Sequence, residues 1–420
     1  MVDIYILDLL VIGLLLLIVT LCSGWITRLP LSFALIYLIF GVFLGPYGVN
    51  LVQLRPNAEF LERLTEFVVI VSLFSCGLKM NRPLNPVAWS STIRLIGFLM
   101  PICIFAIAFV AHFILEIDWG PAILLGAILA PTDPVLASEV QISDLEDREE
   151  LRFGLTSEGG LNDALAFPFV YFGIHALKDT NWNNWFKQWV VVDLIWAIAA
   201  GIIMGVLVAK AIVWIDKRLQ NRRRVDELME DFVALSIILI TYSLTEIVNG
   251  YGFLAVFVAG IIAQRSYHDN EKHLSQLEFT ERIEKLMEVG TILLLGSLLR
   301  FPQMLQFLRQ GLLVATLLIF LIRPIGAWIS TIKSGYPQIT RYLFGWFGIR
   351  GVGSLYYLCY ALGEGLKNDL GEQIAWITYI TVVVSVILHG VTATPLMKLY
   401  QRNLATRREK IASTIGVDES

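Results

Sequence analysis

A chain of 420 residues that is 56% hydrophobic and 16% charged, with a mean hydropathy of +0.68, is not built for water, since soluble domains carry about 25% charged residues. Its net charge of −4 is spread over many short loops with no basic face of interleaved aromatics, which excludes a nucleic-acid partner. The four cysteines, Cys22, Cys76, Cys103 and Cys359, lie scattered in apolar runs without C-x-x-C spacing and read as packing residues.

Apolar runs of roughly 17–25 residues, the length that crosses a ~30 Å hydrocarbon core as helix, recur from end to end. In chain order they predict spans at 7–27, 31–45, 60–78, 90–115, 120–140, 152–177, 189–215, 231–248, 251–264, 283–299, 305–330, 340–362 and 374–397. The expectation is an all-α polytopic membrane protein of about thirteen transmembrane helices. The first run follows Asp3 and Asp8, lacks a basic leader and runs on to Trp25 and Arg28, so it reads as a retained span and not a signal peptide. Glu246, Asn249 and Gly250 interrupt the eighth and ninth spans, which leaves a re-entrant segment as the alternative there. Gly201-x-x-x-Gly205 in span seven suits close helix approach.

Lysine and arginine set the orientation. With the N terminus outside, the inner side receives Arg28, Lys79, Arg82, Arg148, Arg152, Arg222 to Arg224, Arg341 and the basic tail, whereas the outer side receives only Arg55, Lys178, Lys187, Arg300, Arg309 and Lys367. That bias supports an odd number of spans, N terminus out and C terminus cytoplasmic, in a cell (inner) membrane. Arg222 to Arg224 read as a topology anchor with anionic lipid as a second partner.

Thirteen spans divide into six, one and six, so the two sets of six start from opposite sides and form inverted repeats (6+1+6). The fifth member of each set is interrupted: Ala130-Pro131-Thr132-Asp133-Pro134 in one, and Gly345-Trp346-Phe347-Gly348-Ile349-Arg350-Gly351-Val352-Gly353-Ser354 in the other. Paired interruptions at corresponding positions point to a midplane binding site.

Pro131 and Pro134 lack the N–H groups that would bond carbonyls one turn earlier, and Asp133 falls where it would N-cap the second half-helix. Span six reads Thr156-Ser157-Glu158-Gly159-Gly160-Leu161-Asn162-Asp163. Glu158 and Asn162 share a face, and Asp163 lies about 140° away from Glu158, so the two acids have different jobs. Gly159 and Gly160 leave the helix surface beside Asp163 bare, open to an ion, with close helix packing as the competing reading. Of the arginines within spans, Arg350 is expected to pair with Glu158, while Arg323 precedes Pro324. Asp163 is then left without a fixed counter-charge, and proton and cation compete for one carboxylate. His389 in span thirteen reads either as a proton relay or as a hydrogen-bonded structural histidine.

Thr132-Asp133-Pro134, Glu158-x-x-Leu161-Asn162-Asp163, Arg323-Pro324, Gly348-x-Arg350-Gly351 and His389-Gly390-x-Thr392-x-x-Pro395-Leu396 together resemble the monovalent cation/proton antiporter superfamily, most of all its NhaP-type sodium/proton branch, which includes the animal exchangers. The resemblance implies an elevator-type homodimer with two broken, crossing helices. Scaffold helices would lie at 1–85 and 217–303, the core at 86–180 and 304–400, a linker helix at 181–216 and a cytoplasmic tail at 401–420. It implies that Asp163 binds cation and proton, that Asp133 and Thr132 contribute to the site, and that Glu158, Asn162 and Arg350, with Arg323, support it. It also implies no cofactor and no enzymatic activity, but secondary transport of Na+ or Li+ against H+ that is electroneutral, as Asn162-Asp163 marks in this branch.

The sequence departs from the family pattern at Gly159, where many relatives carry a sodium-coordinating serine, which keeps K+/H+ exchange open. It departs again at Phe74-Ser75-Cys76-Gly77, which lacks an acid some relatives carry. A channel, or an intramembrane protease built on Ser354 with His389 or on Asp133 with Asp163, remain the readings from other classes.

Overall fold

The computed structural model describes residues 32–50, 58–134, 136–137, 140–142, 147, 149–179, 181–220, 227–267 and 271–415, with isolated positions between 6 and 21. Most of the first span, Cys22, Arg28, Arg55, Arg148 and Arg222 to Arg224 lie outside the described residues. The described chain is helical, with no strand: α1 (Phe33–Leu44), α2 (Ala58–Leu78), α3 (Ser90–Phe113), α4 (Trp119–Leu129), α5 (Glu150–Leu165), α6 (Phe167–Lys178), α7 (Trp182–Leu219), α8 (Glu227–Ile247), α9 (Gly252–Tyr267), α10 (Glu271–Leu298), α11 (Phe301–Ser330), α12 (Gln338–Trp346), α13 (Val352–Gly363) and α14 (Asn368–Ile415).

Four of these, α3, α7, α11 and the 368–404 part of α14, are long and apolar enough to cross a membrane on length and composition alone. Several of the other expected spans fall short of that standard for two physical reasons. Backbone breaks divide the fifth, sixth and twelfth into shorter helices, and α2 and α10 carry charged residues along their length.

Where the structure differs from the expected spans, a local cause is visible. Span six is two helices, because Pro168 in the first turn of α6 has no N–H to continue α5. Spans eight and nine are separate helices joined by a tight turn at Asn249, whose φ of 54° and the bond from the Gly250 amide to the Thr245 carbonyl (2.9 Å) close it. The last helix overshoots the expected 374–397, running on to Ile415. A π turn at Leu318–Ile322 in α11 precedes Arg323 and Pro324 and absorbs the missing proline N–H.

Small residues bring helices together where their backbones cross. Gly201 and Gly205 of α7 lie against α9, the former with Tyr251 O at 2.9 Å from where a β-carbon would sit, which matches the close approach expected of that motif. The pairs α2 with α9, α1 with α10, α4 with α6 and α11 with α14 pack directly. Most of the buried apolar side chains form one cluster, with a second between α1, α10 and α14.

Candidate functional site

The two interrupted segments meet. After α4 the chain runs extended through Thr132 and Asp133, and between α12 and α13 it runs extended from Phe347 to Gly351. The Asp133 amide donates to the Ile349 carbonyl (2.8 Å), and the Arg350 guanidinium donates through Nη1 to the Pro131 carbonyl (3.1 Å). Backbone groups that the breaks release therefore find partners in each other, as a buried backbone requires.

Asp133 is the hinge pin of this junction. Its Oδ1 accepts from the Leu136 amide (3.2 Å), the capping role expected from Asp133-Pro134. Its Oδ2 also accepts from the Val352 amide, the first of α13, so one carboxylate closes the turn after the first break and caps the helix after the second. Asp133→Ala is expected to lower stability by about 1–2 kcal/mol, since a lost N-cap costs about 1 kcal/mol, read as a drop in the denaturation midpoint of purified protein.

Glu158 and Asn162 face away from Asp163, as the helix spacing predicts. The Asn162 amide donates to Thr132 Oγ1 (2.7 Å), tying α5 to the first break. Glu158 does not pair with Arg350, contrary to the expectation from sequence. It forms a bidentate pair with Arg323, Nη1 to Oε1 at 2.8 Å and Nη2 to Oε2 at 2.9 Å, with both side chains only 2% exposed. The reason is placement: α11 with its π turn sets Arg323 against α5, whereas Arg350 sits on the extended break and is drawn to a released carbonyl. Arg323 Nη2 also donates to Phe347 O (3.0 Å), bracing the second break. Arg350 Nε and Nη2 are buried without a hydrogen-bond partner among the described residues, and its amide donates to Ser385 Oγ (2.9 Å).

Asp163 is 1% exposed, and neither carboxylate oxygen has a hydrogen-bond partner among the described residues. The charges that bear on it are Asp133 and Arg350, opposite in sign. Its own carbonyl accepts from the Tyr357 hydroxyl, which anchors α5 to α13.

The glycines of the second break explain how so many polar groups converge. A side chain at Gly348 would collide with Arg323, one at Gly351 with the Asp133 carboxylate, and one at Gly353 with the Asp163 carboxylate. Each of the three makes room for one ionisable side chain. Sequence reasoning had noted all three only as part of the interrupted segment, and missed Tyr357.

The bare glycine surface expected beside Asp163 is not there. A β-carbon at Gly160 would lie 2.5 Å from the Phe257 ring and 3.0 Å from Cys76 Cβ, and one at Gly159 would lie 3.1 Å from Pro134. Both glycines serve close packing, the competing reading. Ser157 is turned elsewhere, its hydroxyl 2.6 Å from that of Thr92.

His389 is held between two backbone carbonyls. Its Nε2 lies 2.8 Å from the Trp346 carbonyl at the end of α12, and its Nδ1 lies 2.8 Å from the Ser385 carbonyl. Ser354 Oγ has no hydrogen-bond partner among the described residues, and both His389 nitrogens lie against backbone carbonyls, so the two are not joined as a serine/histidine dyad.

The fold is shared with the sodium proton antiporter MjNhaP1 of Methanocaldococcus jannaschii, with a TM-score of 0.71 at 21% identity over 94% of this chain and 98% of that one. A family described as sodium/hydrogen exchanger, transmembrane, matches residues 13–399, so the chain belongs to that family. Among curated relatives it is 25% identical to a K(+)/H(+) antiporter NhaP of Alkalimonas amylolytica, across 93% of this chain and 66% of that protein. It is also 25% identical to a probable Na(+)/H(+) antiporter of Schizosaccharomyces pombe, across 83% of this chain and 50% of that protein. The chain thus spans two-thirds or less of the length of these relatives. The NhaP-type likeness drawn from the motifs agrees with these matches.

Proposed function

We propose that the chain is a secondary antiporter exchanging one monovalent cation for one proton through Asp163. The observation that carries this reading is a buried carboxylate with both oxygens unpartnered, set where two broken helices meet. Glu158 and Arg323 neutralise each other beside it. An ionised, empty Asp163 is expensive in a membrane interior, where a charge costs at least ~2.5–3.5 kcal/mol. A proton or a cation each removes that penalty. If only the occupied carboxylate changes the side it faces, exchange is obligatory and one charge replaces one charge, which makes it electroneutral.

In this reading Thr132 and Asp133 complete the cation site, with Asp133 mainly holding the junction. Asn162 and Arg350, with the Glu158–Arg323 pair, support it. Alternating access comes from the core at 86–180 and 304–400 moving against the scaffold helices, within inverted repeats and a homodimer in the cell membrane. Na+ or Li+ is the first assignment. K+ is the second, supported by Gly159, which brings no hydroxyl, and by the name of the Alkalimonas relative.

Full-length protein in proteoliposomes is expected to dissipate an imposed pH gradient on addition of Na+, Li+ or K+. The initial rate should change less than about twofold when the membrane potential is stepped by ~100 mV, which would otherwise act on a transported unit charge with ~2.3 kcal/mol. No cation-driven proton movement sinks the antiport reading, and steep voltage dependence sinks the one-for-one count.

A further inference from the structure

Outside this site the described residues contain a second polar seam, between α2 and α10. On α10, Glu281, Glu284, Glu288 and Thr291 recur at spacings of three and four and line one face. On α2, Ser72, Ser75 and Lys79 do the same. The faces meet: Ser72 Oγ donates to Glu284 Oε1 (3.0 Å), and Lys79 Nζ pairs with Glu281 Oε1 at 2.9 Å. Glu284 is 7% exposed and Glu288 is 8% exposed. Ser75 is fully buried and faces the same Glu284 carboxylate, and its hydroxyl has no partner at hydrogen-bond geometry among the described residues.

Two features make this seam more than structural charge balance. Its charges do not close: Lys79, the one base among the described residues of the seam, pairs with Glu281 and leaves the buried Glu284 in excess, while Arg282 and Lys285 are exposed on other faces of α10. A buried excess carboxylate is neutralised either by a proton or by a bound cation. The seam is also continuous with the candidate site. It reaches the surface at Glu281, 35% exposed, and runs inward past Ser75 to Cys76, which packs on Gly160 of α5. Asp163 lies three residues beyond Gly160, about 4.5 Å along the helix.

We propose that Glu284, with the hydroxyls of Ser72 and Ser75, forms a second monovalent-cation site, an approach station that loads the cation from the Glu281–Lys79 mouth toward Asp163. Its oxygens, two from a carboxylate and two from hydroxyls, are the hard ligands such an ion takes. The site stands on its own residues. Only its place on a route to Asp163 rests on the exchange reading.

Equilibrium binding of radiolabelled Na+ and Rb+ to detergent-solubilised full-length protein separates the two. Wild type should bind two ions per chain. Asp163→Asn should keep one, Glu284→Gln should keep one, and the double variant should bind none. Retained binding at the remaining site shows that each single variant is folded. Ser75→Ala in the Asp163→Asn background should weaken the remaining site about tenfold, as loss of one ligand worth ~1.4 kcal/mol does. In proteoliposomes Glu284→Gln should raise the cation KM about tenfold and leave the rate at saturating cation within about twofold. The proposal is overturned if Asp163→Asn binds no ion or if Glu284→Gln still binds two. Two bound ions without cation-driven proton movement would instead overturn the exchange reading and leave this site standing.

Discussion

Asp163→Asn is expected to abolish cation/proton exchange, to the level of protein-free liposomes, while leaving the protein at least as stable as wild type. Asparagine has nearly the same shape, and the Asp163 oxygens make no hydrogen bond for it to break. What it removes is the only property the exchange needs there, a charge that either a proton or a cation can neutralise. Losing a buried charge partner is worth about 3–5 kcal/mol, more than a hundredfold in affinity. The stability forecast follows from the same geometry, because an unpaired buried carboxylate burdens the fold. Undiminished exchange by this variant would remove Asp163 from the mechanism. A collapse in thermal stability would show that it holds structure in a way the geometry does not reveal.

The second large effect concerns the Glu158–Arg323 pair. Glu158→Met or Arg323→Met alone is expected to destabilise the protein by about 3–5 kcal/mol, since each leaves its partner charged and buried. The double substitution should recover most of that loss, because two apolar side chains of similar volume replace a pair whose desolvation was costly. Thermal denaturation of the two single variants and the double one yields the coupling directly. Arg350→Met serves as the contrast: with one hydrogen bond to Pro131 and no carboxylate partner within salt-bridge distance among the described residues, it should cost clearly less than Arg323→Met. Equal losses at the two arginines, or additivity in the Glu158–Arg323 cycle, would contradict the pairing.

The seam between α2 and α10 bears on both results. Lys79, Glu281 and Glu284 belong to neither the Asp133 junction nor the Glu158–Arg323 pair, yet their seam reaches Cys76, which packs on Gly160 one turn before Asp163. A cation entering along that seam would meet carboxylate oxygens before it met Asp163. Transport variants on α10 are therefore expected to change cation affinity, whereas those at Asp163 change whether exchange happens at all.

Much of this protein could be read from one dimension. Hydropathy depends only on local composition and helix length, so α1, α2, α3 and α9 were placed to within a few residues, while α7 and α10 begin well before the expected 189 and 283 because their polar first turns carry no hydropathy signal; the breaks at Pro131–Pro134 and Gly345–Gly353 announced themselves as prolines and glycines inside apolar runs. The capping role of Asp133 and the separate faces of Glu158 and Asp163 were equally local, fixed by proline chemistry and by 100° per residue. What sequence could not decide was every choice among distant partners. Two arginines were available to Glu158, and only the way the π turn of α11 sets Arg323 against α5 selected between them. The glycines beside Asp163 looked bare because nothing in span six shows that Phe257 and Cys76, about a hundred residues away on either side, fill that space. Gly353 was visible as part of the break, but its reason for being glycine is a carboxylate on another helix, which the sequence does not show. Helix identity and helix breaks are short-range consequences of backbone chemistry; which charges meet is set by packing, and packing exists only once the chain has folded.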